Sequence, residues 1–252
     1  MAIWELMLPR RRQPAHRGSR WTAHAGLVLL GSLASRLISP AGALGFAWFA
    51  ERQQWGLLNI FHIPSWAGIP ATILLLDLGI YFQHRWMHSM PGLWRFHRMH
   101  HSDTHLDVTS GVRFHPVEMA VSMGLKGVMI LVLGASATGV FLFEILLNAT
   151  SLFNHSNARL PGGIDRILRW IIVTPDFHRV HHSANPKETD SNFGFNLAIW
   201  DRIFGTYCAQ PALGHDELQV GLEEFRKPED QRLSSLLLQP WKSEPSGSLD
   251  RK

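Results

Sequence analysis

Apolar residues in this chain fall in long blocks separated by short polar breaks. The first covers residues 21–50 and is interrupted by Arg36 and by Ser39-Pro40. It reads either as one tilted span or as a helical hairpin turning near Pro40, each half alone being short for a hydrocarbon core of about 30 Å. After the polar break Glu51-Arg52-Gln53-Gln54, a strong run over residues 69–82 holds one acid, Asp77, and with Trp66 at its start is about long enough to cross. The third block, residues 117–147, carries only Lys126 and Glu144 as charges. As one helix it would span about 46 Å, too long for a bilayer. Gly134-Ala135-Ser136-Ala137-Thr138-Gly139 in its middle offers a turn, so a hairpin that returns to its starting side is predicted. Pro116 suits a first helical turn, and Thr174-Pro175-Asp176 has the look of another helix start. A short apolar run at 167–173 is expected at an interface, with several tryptophans near run ends (Trp21, Trp66, Trp86, Trp94) in a belt. The pattern predicts an all-α, integral membrane helical bundle.

Composition agrees. Hydrophobic residues make up 46% and charged residues 17%, the latter below the roughly 25% of soluble domains. The net charge of +4 resides in residues 1–20, where Arg10, Arg11, Arg12, Arg17 and Arg20 face only Glu5. Next to an apolar segment such a cluster reads as a cytoplasmic juxtamembrane anchor. No downstream basic groove extends it, so no nucleic-acid partner is expected. The single cysteine, Cys208, excludes an internal disulfide and a thiolate cluster. The chain divides into a basic segment (1–20), an N-terminal membrane region (21–64), a central region (65–210) and a polar tail (211–252) expected to be loosely ordered.

The chemistry lies in the histidines. His84 and His88 form HxxxH; His97, His100 and His101 form HxxHH; a second HxxHH follows at His178, His181 and His182. Residues three and four apart share a helix face, so each group aims its rings at one point. Imidazole suits iron, copper and zinc. Eight rings exceed the roughly four to six ligands of one ion, so two ions fit better. A structural zinc site would close with about four ligands, commonly including cysteine. Asp77, Tyr81, His84 and His88 recur at helical spacing. Asp77 either orients a ligand histidine through its second nitrogen or is satisfied by another group.

The motifs HRWMH, LWRFHRMHHS, RFHPVE, HRVHHS and WDRIFGTY resemble the fatty acid hydroxylase superfamily, also called the sterol desaturase family, over roughly residues 65–210. The resemblance implies a membrane enzyme whose histidine boxes form a dimetal cap on the cytosolic side. Its metal ligands would be His84, His88, His97, His100, His101, His178, His181 and His182. His155, in Asn154-His155-Ser156-Asn157, stands where relatives often carry a further histidine and is the candidate ninth ligand. His105 and His115 are weaker candidates, His115 more suited to capping or bracing the loop; His16, His24, His62 and His215 are read as bystanders. The implied cofactor is two iron ions, with zinc as a substitute on isolation. The implied reaction is dioxygen-dependent hydroxylation, or desaturation, of an aliphatic lipid (fatty acyl, sterol or related). With neither a dinucleotide fingerprint nor a haem module in the sequence, a separate ferredoxin- or cytochrome-type donor is expected. The rival is a non-catalytic membrane metal-binding protein.

Overall fold

The computed structural model describes residues 1–12 and 17–243; His16 lies outside them. The chain folds as α1 (Ala2–Met7), α2 (Arg17–Ile38), α3 (Ala43–Gln53), α4 (Leu57–Ile60), α5 (Ser65–Ser89), α6 (Pro91–His101), α7 (Pro116–Leu133), α8 (Ala137–Asn154), α9 (Gly162–Leu168) and α10 (Pro175–His181), followed by shorter helical turns. No strand forms among the described residues.

Of the two forms open for residues 21–50, the structure takes the broken one. Proline has no N–H to continue a helical ladder, and Ser39 Oγ donates to the carbonyl of Gly42, closing the turn between α2 and α3. Both helices pack on α7. The third block is the expected hairpin. Gly134 caps α7 in the left-handed conformation at φ 67°, and the Oγ of Ser136 accepts from Gly139 N to start α8. A Cβ on Gly134 would meet Trp55 O at 2.4 Å, so both the φ and the close approach call for glycine.

Arg17–Ile60, Ser65–Ser89, Pro116–Leu133 and Ala137–Asn154 are long and apolar enough to cross a membrane. Their outward side chains are apolar: Leu33 and Leu37 on α2, Leu74 and Leu75 on α5, Val128 and Val132 on α7, Phe141 and Ile145 on α8 are all exposed. Hydrocarbon is the solvent that suits such a surface. Inside, Ala43, Ala47, Leu76, Ile80, Ile130, Val140 and Phe143 form the core, the alanines letting α3 approach its neighbours closely. In the run 167–173, Ile167, Trp170 and Ile171 are exposed while Val173 is buried, the two-sided arrangement expected of an interfacial segment.

Because the hairpin returns, the start of α7, the end of α8 and the end of α5 gather at one pole. There α6, α10 and their loops form a polar cap. One expectation for the termini needs correction, and another gains detail. The tail is not loose up to residue 243: Leu236 packs with Ala23, Leu27 and Met99, and Arg98 donates to the carbonyls of Gln239 and Lys242. Three leucines at helical spacing (Leu233, Leu236, Leu237) suffice to dock a segment whose composition is polar. The basic N-terminal cluster also turns inward. Arg10 pairs with Asp176 and Asp216, Arg17 with Glu5, and Arg20 with Asp103 and Asp107, because acids on the cap meet charges that would otherwise face solvent or lipid headgroups.

Candidate metal centre

One unbroken helix, α5, carries His84 and His88 on the same buried face as Leu76, Asp77, Ile80 and Tyr81. Met90-Pro91 ends it and restarts the chain as α6, which carries His97, His100 and His101. The last turn of α8 delivers His155. Thr174 Oγ1 caps α10, which delivers His178, His181 and His182. All nine rings are buried, and the structure brings all nine together.

They divide into two groups: His84, His88, His97, His101 and His181 in one, and His100, His155, His178 and His182 in the other. Within each, one ring nitrogen per residue lies within 4.8 Å of the rest. Helix geometry explains the division. Positions i and i+4 lie about 40° apart around the axis, whereas i+3 lies about 60° to the other side. In each HxxHH box the i, i+4 pair therefore joins one group (His97 and His101; His178 and His182) and the i+3 histidine joins the other (His100; His181). Each box thus serves both groups, and the rings of His101 and His182 stack across the boundary at 4.4 Å.

Which nitrogen faces inward follows from the outer partners. His84 Nδ1 lies 2.8 Å from Phe193 O, His181 Nδ1 2.7 Å from Ser191 O, His100 Nδ1 3.1 Å from Arg113 O and His155 Nδ1 2.9 Å from Ser151 O. Carbonyls only accept, so each of these rings donates from Nδ1 and keeps a lone pair at Nε2. Yet His84 and His181 face each other Nε2 to Nε2 at 3.0 Å, and His100 and His155 at 3.1 Å. Two lone pairs at that distance repel; a cation between them removes the repulsion. The spacing is that of neighbouring ligands at right angles on an ion with bonds of about 2.1 Å. The Nε2 atoms of His97, His101 and His182 are likewise buried without a hydrogen-bond partner among the described residues. These donors fit a first-row metal ion in each group. Burial holds His100, His101, His178 and His182 well below the ordinary histidine pKa, His155 at about 4 and His181 at about 3, so these rings are neutral, the ligating form, at pH 7.

Among the described residues, carboxylates bond only the five-histidine group, from outside: Glu118 Oε1 accepts from His97 Nδ1 at 2.7 Å and Asp190 Oδ1 from His88 Nδ1 at 3.1 Å. Outer partners of this kind set ligand orientation and basicity. Glu118→Gln should therefore weaken retention of one metal ion per chain by about 10–100-fold, read by competition with a chelator, and leave the other ion in place.

Asp77 does not orient a ligand. It accepts from the backbone N–H of Asn196 (3.3 Å) and Leu197 (3.2 Å) and from Trp200 Nε1 (2.8 Å). Its carboxylate is turned to the segment around Asn196 and Leu197, whose N–H groups lie outside any helix and need an acceptor. Asp201 holds the same loop through Phe193 N and Gly194 N, both at 2.7 Å, which fixes the Phe193 carbonyl against His84. Asp77→Ala should cost roughly 1–3 kcal/mol through the orphaned loop donors, seen as a lowered thermal midpoint.

His115 caps α7 with Nδ1 and contacts Leu237 O with Nε2, a brace outside both groups. His105 also lies outside them, beside Thr104, as do His62 and His215. His24 is more than a bystander. It belongs to a buried network in which Asp103 accepts from Arg20 and Ser110, Arg113 approaches Asp103 at 3.6 Å, and His24 meets Thr109 and Arg113. Arg113 also donates to Met99 O and Ser102 Oγ, clamping the second box. Sequence reasoning missed this network and the role of Glu118. Glu118 and Arg113 do sit inside the RFHPVE motif, but nothing in sequence spacing links position 20 to position 103.

Paired all-imidazole groups at one pole of a helical membrane bundle define a histidine-box membrane protein. The fatty acid hydroxylase family model matches residues 69–206, more than half of the chain, and the chain belongs to that family. It is 36% identical over 140 residues to an ornithine lipid hydroxylase of Rhizobium tropici, covering 55% of this chain and 41% of that protein. It is 34% identical to the alkylglycerol monooxygenase of Xenopus tropicalis, over 55% and 30% of the two chains, and 26% identical to methylsterol monooxygenase 1-3 of Arabidopsis thaliana, over 73% and 65%. The chain thus spans less than half the length of the first two relatives. No solved structure matches it.

Proposed function

We propose that the two histidine groups hold two iron ions and that the protein hydroxylates an aliphatic lipid, using dioxygen and electrons from a separate ferredoxin- or cytochrome-type donor. The observation that carries this reading is the facing of Nε2 lone pairs at 3.0–3.1 Å in a site that opens onto an apolar cavity. Iron so bound supplies the redox chemistry by which RH, O2, two electrons and two protons become ROH and water. The chain's own residues do the rest. The carbonyls of Arg113, Ser151, Ser191 and Phe193 fix the rings; burial keeps them neutral. A cavity of about 240 Å3 reaches His84 and His97, with Ile80, Met87, Phe114, Leu147 and Phe195 in its walls. These side chains would hold an alkyl chain against the histidines and exclude water. Val28, exposed on α2, also lines the cavity, so lipid would enter sideways from the bilayer. Hydroxylation is favoured over desaturation by the names of the relatives cited above. The basic residues gathered at the histidine pole favour a cytoplasmic orientation for it.

The test is isotopic. Iron-loaded, chemically reduced protein in lipid nanodiscs, given 18O2, should place one 18O atom in a lipid alcohol. Absence of labelled product across acyl, sterol and glycerol-ether lipids would refute the reading.

A further inference from the structure

The same cavity contains a pair of charges that the chemistry above does not use. Lys126 on α7 and Glu144 on α8 both line it, and Lys126 Nζ lies 2.6 Å from Glu144 Oε1. Gln83 Nε2 donates to Ser122 Oγ at 2.9 Å between this pair and the histidines; of the cavity's other polar side chains on α8, Asn148 and Ser151 donate to the backbone carbonyls of Glu144 and Gly111, so Lys126 and Glu144 are the charges that line it away from the metal pole. Eight residues of α7 separate Lys126 from Glu118, which bonds His97, so the ion pair lies about 12 Å along the helix from the metal pole.

Stability does not account for it. Lys126 is buried and Glu144 partly exposed; an ion pair taken even partly out of water does no better than apolar residues of the same volume, and charged residues within membrane spans mark functional sites by default. An ammonium has three N–H donors, of which Glu144 takes one, and the carboxylate has acceptor capacity to spare. The pair therefore presents donors and acceptors together on the cavity wall, from one buried and one partly exposed side chain. Because the two charges cancel, a ligand of net charge would bring an uncompensated charge into these surroundings. An uncharged hydrogen-bonding group would not.

We propose that Lys126 and Glu144 form a subsite for an uncharged polar group of the lipid, a hydroxyl or an amide. Held there, the group sets which carbon, about 12 Å further along, reaches the histidines. The pair is a specificity determinant, touching substrate far from the reacting carbon. This rests on the reading of the cavity as the lipid site.

Equilibrium binding to the full chain in nanodiscs tests it with three radiolabelled probes of one chain length: hexadecane, hexadecan-1-ol and hexadecanamide. The wild-type protein should bind the alcohol, the amide or both at least about tenfold more tightly than the alkane, and which of the two leads identifies the group. The double variant K126M/E144Q should bind all three alike, with alkane affinity unchanged, and Lys126→Arg should restore the preference. Equal binding by the wild type, a preference that survives K126M/E144Q, or loss of alkane binding together with the rest would overturn the proposal, the last by showing a purely structural pin. His100→Ala should keep the preference. If no oxygen is incorporated while the preference stands, the oxygenase reading fails and this one does not.

Discussion

Replacing His100 by alanine should abolish hydroxylation and release one of two metal ions. The four-histidine group would keep only His155, His178 and His182, and among the described residues no carboxylate bonds it to take the vacant place. The neighbouring group would keep all five rings, so metal content should fall from about two to about one per chain. Because a ligand itself is removed, turnover should fall by more than the 10–100-fold typical of losing an outer partner. The i+3 position gives the complementary test: His181→Ala strikes the five-histidine group, although it sits in the same box as His178 and His182. If both variants lost the same ion, the division of each box between two sites would be wrong. Metal analysis alongside turnover, on protein of unchanged helical content, reads the result.

Asp103→Asn should have the largest effect on stability. Its carboxylate is fully buried and meets Arg20 at 2.8 Å, with Arg113 at 3.6 Å. Removing one member of a buried charge network leaves the others uncompensated, a loss of about 3–5 kcal/mol. Since Arg113 also clamps Met99 and Ser102, the second box should loosen as a whole and both ions should be lost together, unlike the single loss in His100→Ala. Burial by itself would raise the carboxyl's pKa, but Arg20 and Arg113 outweigh it and hold Asp103 well below the usual carboxylate range. Its folded value therefore lies below its unfolded one. The stabilisation is present in full above the ordinary carboxylate pKa of about 4 and is lost as pH falls below it. Thermal unfolding against pH should show the wild type converging on Asp103→Asn only in that acid range.

Much of this was legible because two periods carry it. Blocks of apolar residues with a glycine-rich middle gave the α7–α8 hairpin, and i, i+3, i+4 histidines gave the boxes. The same helical arithmetic that predicts shared faces also explains why each box splits, a consequence that needs the relative placement of three helices to be seen. What stayed hidden was tertiary. Asp77 shares a helical stripe with His84 and His88, yet α5 turns its carboxylate to the segment around Asn196 and Leu197. The N-terminal arginines read as free charge until the cap supplied Asp103, Asp107 and Asp176 as partners. The backbone carbonyls that fix the rings leave no trace in a sequence, since every residue has one.

Nine histidines, on the proposal above, hold two redox-active ions. Metal content of anaerobically purified protein, with oxygen uptake on chemical reduction, tests it most directly. About two irons per chain are expected, with oxygen consumption that depends on reductant; zinc in their place should give a loaded site that is silent until exchanged for iron. No stoichiometric metal, even after anaerobic reconstitution with ferrous iron, would contradict it.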